Sequence, residues 1–365
     1  MMLVKTITNF LDDTYPLAYQ EDYDNSGLLV GDPNQEINKV LICLDVTEAI
    51  MDEAIAGGCG LVISHHPLIF AGLKKITGQT YVERVVQKAI MNRIGIYAIH
   101  TNLDNHAEGL NRHLAEKLGL TGIQILKPMQ NTLRKLVTFC PHEHADKVRT
   151  AIFKAGAGRI GDYDSCSYNT SGQGTFRAMD GANPFVGNKH ELHFEKELKI
   201  EAIYPVYLER QIIKSMVEAH PYEEVAYDII VLGNENKYAG SGGVGELKTG
   251  MEAGNFLQTL KTLCGLPFLK YSGDLSRQVS KVALCGGSGS FLIKDAMKTG
   301  AQIFLTADLK YHDYFIPEGK MILADIGHYE SEQFSKDLLA QVLLKKFPNF
   351  AVLKSKIKSN PVNYL

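Results

Sequence analysis

The chain has 365 residues, of which 45% are hydrophobic and 22% charged, and Lys+Arg 38 against Asp+Glu 41 leave a formal charge of −3. At roughly 100–200 residues per domain this length predicts two or three domains with cores of their own, and the composition excludes a disordered, collagenous or membrane class. The near-neutral balance, with a pI of about 6.5, argues against nucleic-acid binding, which needs a basic surface to displace counterions.

No apolar run reaches the ~18 residues of a membrane span. The first residues, MMLVKTITNFLDDTYPL, are acidic where an export signal would be apolar. Six cysteines (43, 59, 140, 166, 264 and 285) are scattered without a C-x-x-C pair, the pattern of buried thiols in a reducing compartment. A cytoplasmic location is expected.

In chain order, Lys39–Val46 (KVLICLDV) is a short continuous apolar run, the mark of a strand buried on both faces. A helix from Thr47 to Gly57 follows, with Thr47 as N-cap. The next buried strand, Leu61–Ser64, ends in His65-His66-Pro67. A helix over Tyr81–Asn92 leads to the strand Ile94–Ile99, which runs into His100-Thr101-Asn102-Leu103-Asp104. Strands alternating with helices predict parallel sheets covered on both faces.

Between Pro128 and Gly233 the texture changes. Strand Arg134–Phe139, helix Ala145–Ala155, strands around Ser165–Asn169 and over Leu198–Tyr204, helix Glu209–Ala219 and strand Val225–Leu232 follow the β-α-β-β-α-β order of a ferredoxin-like unit. Gly156–Asn188, rich in Gly, Ser and Asn, is expected to be a mobile loop. The expected organisation is a main α/β domain of residues 1–127 and 234–365, split by an inserted α+β domain of 128–233.

The early pattern then returns: strand Lys281–Cys285, helix Phe291–Thr299, and strands Ile303–Thr306 and Met321–Asp325. Residues 39–66 lie on 281–308 without a gap, with Lys39/Lys281, Val40/Val282, Cys43/Cys285, Ala54/Ala296 and Gly58/Gly300 identical. We therefore expect two related α/β halves whose strand ends share a cleft.

Ligands collect at the carboxyl ends of parallel strands, and metal-type side chains stand at several of those ends here. His65 and His66 point opposite ways from extended chain, so each can serve a different ion. Asp104 offers a carboxylate, and His100 a ligand or an outer partner. His328 and Glu332, four apart in Gly327-His328-Tyr329-Glu330-Ser331-Glu332, share one helix face, whereas Glu330 points elsewhere, to solvent. Asp308 and His312, in Thr306–His312, are weaker members of the set. Each stretch alone also reads as a polar loop, a cap or a surface pair; their coincidence at separate strand ends favours a metal.

Mixed imidazole and carboxylate suits zinc first, with manganese or iron as alternatives, and does not suit a structural thiolate site. Three histidines with Asp104 and Glu332 exceed one open tetrahedral site and match two ions sharing an acidified water. Gly286, Gly287, Ser288 and Gly289 link a strand to a helix and are expected to offer backbone N–H groups to an anion or phosphate, although a tight turn explains them too.

Taken together, Asp24–Gly31 (DNSGLLVG), Ser64–Pro67, His100–Asp104, Gly240–Leu247 (GSGGVGEL) and Gly327–Glu332 make the chain resemble the NIF-three-like family, whose bacterial members carry the name GTP cyclohydrolase 1 type 2 homologue. The middle segment, with His220-Pro221-Tyr222-Glu223-Glu224, is similar to that family's optional insert, a domain like the PII and CutA proteins. The resemblance implies a dinuclear centre with His65, His66, Asp104, His328 and Glu332 as ligands, Glu332 bridging, in a ring-like homohexamer. Tyr23, Ser26 and Val225 depart from the family pattern but touch no expected ligand.

The expected function is metal-dependent hydrolysis of a nucleotide-type substrate, GTP by resemblance, with His100 or His312 moving protons. A non-catalytic metal-binding or regulatory protein is the alternative.

Overall fold

The computed structural model describes residues 1–363. The chain divides into two compact units, one formed by Met1–Pro128 with the chain from Lys237 onward and the other by Met129–Asn236. Both are of mixed α/β character.

The first unit contains two large sheets, besides the two-stranded pairing of Met2–Leu3 with Glu36–Ile37. One has the order Ala351–Lys354, Lys39–Cys43, Leu61–Ser64, Gly95–Ala98, Gly27–Val30, with every pairing parallel except the last. The other has the order Lys270–Ser272, Ile322–Asp325, Ile303–Ala307, Gln278–Ser288, Asn236–Glu252, Leu120–Met129, with parallel pairing among its second, third and fourth strands.

Alternation along the strands explains their continuous apolar runs. Val40, Ile42, Leu61 and Ile63 enter a core shared with Val282, Leu284, Ile303 and Leu305 of the other sheet. Leu41, Cys43 and Val62 face the opposite way, onto the helices Glu48–Ala56 and Tyr81–Met91. Ala283, Cys285 and Phe304 likewise pack against Ile293 and Ala296 on the outside of the second sheet. A strand apolar on both sides has no free face, so the inner strands of both sheets are interior and mainly their ends are left for chemistry.

The helix expected from Thr47 begins as predicted, with the Thr47 hydroxyl accepting from the Ile50 amide. The predicted Phe291–Thr299 helix is shorter: a 3₁₀ turn at Ser290–Leu292 leads into Ile293–Lys298.

The second unit is an antiparallel sheet ordered Tyr227–Leu232, Leu133–Pro141, Leu192–Pro205, Tyr168–Arg177, with the helices Ala145–Lys154 and Glu209–Ala219. Leu136, Cys140, Val148, Ile152, Ile200, Tyr204, Ile212 and Met216 form its core. The expected loop Gly156–Asn188 is corrected in its second half: Tyr168–Arg177 is a strand, held along its length by Leu192–Pro205. The strand expected around Ser165–Asn169 thus begins later and runs further; exposed almost throughout, it has no buried face whose apolar alternation would mark its extent.

Candidate metal centre

Four parallel strands of the first unit end at one place. Leu61–Ser64 runs directly into His65 and His66, whose amides continue the ladder onto the carbonyls of Cys43 and Leu44. Gly95–Ala98 delivers His100 and the single helical turn Thr101–Asp104. From the second sheet, Ile303–Ala307 leads to Asp308, and Ile322–Asp325 leads through Gly327 to the short helix His328–Glu332. His66 and Glu332, 266 positions apart in sequence, meet at 2.8 Å between Nε2 and Oε2.

Four imidazoles converge there, and each is tied at Nδ1. His65 Nδ1 meets the Ile99 carbonyl at 2.9 Å, His66 meets Asp45 at 2.7 Å, His100 meets Asp24 at 2.8 Å and His328 meets Asp308 at 2.6 Å. A carbonyl only accepts, so His65 Nδ1 carries the hydrogen and its Nε2 presents a bare lone pair. That Nε2 is buried without a hydrogen-bond partner among the described residues. It lies 3.5 Å from Asp104 Oδ1, itself buried and unpartnered, and 3.9 Å from Glu332 Oε1. Two buried acceptors aimed at each other are costly unless a cation sits between them. The residues present therefore fit a divalent ion.

Glu332 divides its two oxygens between two sets. Oε1 faces His65 and Asp104, while Oε2 lies 2.8 Å from His66 Nε2 and 3.1 Å from His328 Nε2. Ligand atoms of His65, Asp104 and Glu332 fall within 4.8 Å of one another, as do those of His66, His328 and Glu332, and those of His65, His66 and His100.

The electrostatics are those of a cation site filled by protons. Burial opposes charge on His66, yet its bonds to Asp45 and Glu332 push its pKa up to about 9. Burial likewise opposes charge on His328, and Asp308 and Glu332 raise it to about 11. Desolvation, with Glu332 nearby, pushes Asp104 up to about 8. Glu332 is held well below the carboxylate range because its contacts with His328 and His66, with His65 close by, outweigh its burial. Asp24 is also held low, against its burial, by His100 and Thr101.

The glycines around Glu332 are steric necessities. Gly287 has φ +61°, and a Cβ there would lie 2.2 Å from Glu332 Oε1. Gly327, at φ +75°, would crowd Glu330 Oε2 in the same way. Gly287→Ala is therefore expected to lose about 1–3 kcal/mol of stability to backbone strain and to expel Glu332 from the cluster. Thermal unfolding and metal content, measured on the same sample, check both effects.

The first half of the expected anion loop is corrected on the same ground. Gly286 N–H donates to Asn111 Oδ1 and Gly287 N–H to Ser331 Oγ, so these amides brace the centre from behind. Only six residues, Ile293–Lys298, form the helix that follows. His312 is corrected too: it lies exposed on the 3₁₀ turn Tyr311–Phe315, against the rings of Tyr311 and Phe315. Glu330 is only 5% exposed rather than solvated, and it accepts from Asn360 Nδ2 at 2.9 Å. Asp45 was not anticipated; a lone aspartate past a buried strand carries no spacing signal. Asp308, weak in the sequence, adopts a left-handed φ of +56° as it turns its carboxylate to His328.

A cavity of about 660 Å³ opens over the cluster. Tyr23, Phe70, Tyr81 and Phe291 supply aromatic walls, and Phe70 stands edge-on to His100 at 5.9 Å. No lysine or arginine is among the described residues lining it. The nearby Lys127 instead lies over the outer ring Phe291 and beside Asp295.

The profile of the Duf34/NIF3 (NGG1p interacting factor 3) family matches residues 2–361. Proteins named GTP cyclohydrolase 1 type 2 homolog are similar over nearly their whole length. That of Halalkalibacterium halodurans is 37% identical over 99% of this chain and 98% of its own, and that of Bacillus subtilis 36% identical over 98% of each. Among solved structures, a Bacillus cereus protein related to NIF3 shares 36% identity with a TM-score of 0.85, over 100% of this chain and 99% of that one. A Staphylococcus aureus protein gives 29% identity and a TM-score of 0.79 over the same shares. With the profile running nearly from end to end and relatives above 30% identity across the full length, the chain belongs to the DUF34/NIF3 family.

Proposed function

We propose that the chain is a hydrolase dependent on two divalent ions, one held by His65, Asp104 and Glu332 and the other by His66, His328 and Glu332, acting on a small planar substrate of the nucleotide type. The observation that carries this reading is the pair of unpartnered buried atoms, His65 Nε2 and Asp104 Oδ1, beside a carboxylate divided between two histidine sets. The donor set suits zinc, with manganese or iron as alternatives. When bound, such ions supply Lewis acidity and lower the pKa of a coordinated water.

The chain's own groups do the rest. Asp24 remains a carboxylate and holds the His100 Nδ1–H, which leaves His100 Nε2 to take up or deliver a proton at the cavity wall. Tyr23, Phe70 and Phe291 offer faces and edges to a heterocycle. With no lysine or arginine among the described lining residues, recognition falls on the ring system, and any phosphates depend on the metals.

We further propose a homohexamer, a cytoplasmic setting consistent with six free cysteines, descent of the two sheets from one duplicated half, and kinship of the insert with PII and CutA domains. The insert's ferredoxin-like strand order and its own cavity of about 770 Å³, walled by Phe176, Phe185 and Tyr222, favour as a second reading a regulatory metal protein without turnover.

The test is hydrolysis of guanosine and its mono-, di- and triphosphates by zinc- or manganese-loaded protein, with Asp104→Ala and His328→Ala as controls. Turnover abolished by chelator and by both variants, with guanosine and GTP binding within about tenfold of one another, is the expected result. Two bound equivalents with no turnover across a broad nucleotide panel would leave the regulatory reading.

A further inference from the structure

The strand Ala351–Lys354 lies on the outer edge of the first sheet, parallel to Lys39–Cys43, and the chain does not leave the fold after it. Ser355 N–H adds one more rung, to the Ile42 carbonyl at 2.8 Å. The Ser355 hydroxyl and the Lys356 amide both bond the carboxylate of Glu53, and Ile357 packs against the outer core of that sheet. These contacts fix the direction of the next residues, which run over the ends of the strands.

Two of those residues reach the metal centre. Ser359 Oγ donates to Asp45 Oδ2 at 2.6 Å, and the other oxygen of the same carboxylate holds His66 Nδ1 at 2.7 Å. Asn360 Nδ2 donates to Glu330 Oε1 at 2.9 Å, and Glu330 sits inside the five-residue turn that carries both His328 and Glu332. Ser359 and Pro361 also line the cavity over the cluster.

We propose that residues 355–361 form a strap that positions the metal ligands: Ser359 orients Asp45, and through it His66, while Asn360 anchors the His328–Glu332 turn. This rests on the dinuclear reading above. Asp45 is about one third exposed, and without Ser359 one of its oxygens would be free to turn toward water. The imidazole it aims would then lose its fixed rotamer. Partners that orient a ligand from outside typically contribute about 10–100-fold in metal affinity. Ser359 acts one bond further out, so the lower end of that range applies. Because His66 belongs to one ligand set and His65 and Asp104 to the other, loss of Ser359 should weaken one bound equivalent and spare the second.

The test uses the full chain with zinc alone as probe. Stepwise affinities are measured by chelator competition for wild type, Ser359→Ala, Ser359→Thr and Asn360→Ala, with thermal unfolding in excess chelator beside them. The expected result is about a tenfold loss in one of two equivalents for Ser359→Ala, restoration by Ser359→Thr, and unchanged unfolding of the metal-free proteins. Asn360→Ala should weaken both equivalents, because the turn it anchors carries Glu332, which faces both sets. Unaltered stepwise affinities in Ser359→Ala, or equal weakening of both equivalents without rescue by threonine, would overturn the strap. A wild type that binds no zinc would instead remove the dinuclear reading on which the strap depends.

Discussion

Glu332→Ala is expected to abolish stable metal binding, leaving less than one equivalent per chain after gel filtration where wild type keeps two. Glu332 is the one side chain common to both ligand sets, and its oxygens face in two directions, Oε1 toward His65 and Asp104, Oε2 toward His66 and His328. Removing it deletes a ligand from each set together with the negative charge that brings the sets together. A loss of at least about a hundredfold in affinity, or about 2.7 kcal/mol, is anticipated for each equivalent. A second measurement separates metal loss from misfolding. Chelator should lower the unfolding temperature of metal-loaded wild type, because a ligand bound only to the native state stabilises it by mass action, and should leave Glu332→Ala unmoved. Full metal content in a folded Glu332→Ala protein would defeat the dinuclear assignment.

The second large effect is on pH. In the metal-free protein His66 is raised to about 9, His328 to about 11 and Asp104 to about 8, so all three hold protons at neutrality. A divalent ion needs the neutral imidazoles and the charged carboxylate, and must displace those protons. Lowering the pH adds to what the metal has to remove, and raising it helps binding. Affinity for zinc should therefore climb by about tenfold or more per unit between pH 6 and 8, with proton release on binding. Calorimetry in buffers of differing ionisation enthalpy reads the protons directly. A flat affinity profile with no release would contradict the geometry.

The five side chains that converge here were legible as a cluster because each follows a short apolar strand, and a strand buried on both faces leaves only its ends for chemistry. His65, His66 and Asp104 stand directly past such ends, and the four-residue spacing of His328 and Glu332 becomes one face of a real helical turn. The groups that aim these side chains were harder to see. Asp45 holds His66, and Asp24 holds the neighbouring His100, from across the fold, and no periodicity encodes a partner 21 or 76 positions away.

Glu330 was misread for a related reason. Its place on the far side of the turn implies solvent only if nothing covers that side, and Asn360 does. Gly286–Gly289 carry the composition of an anion loop, but the Gly286 and Gly287 amides are spent on Asn111 and Ser331, and the missing side chains of Gly287 and Gly289 make room for Glu332 and Thr306. Local composition fixes what a loop can do, whereas its neighbours decide what it does.

The convergence of residues 65 and 332 also bears on biosynthesis. A ribosome has to release the polypeptide well beyond Glu332, across the whole intervening insert, before the first histidine pair acquires its carboxylate. Contacts of such long range close late. Nascent or prematurely terminated chains would expose imidazoles without a shared acidic partner and hold cations only weakly. Metal content would then report that translation and assembly of both sheets had been completed.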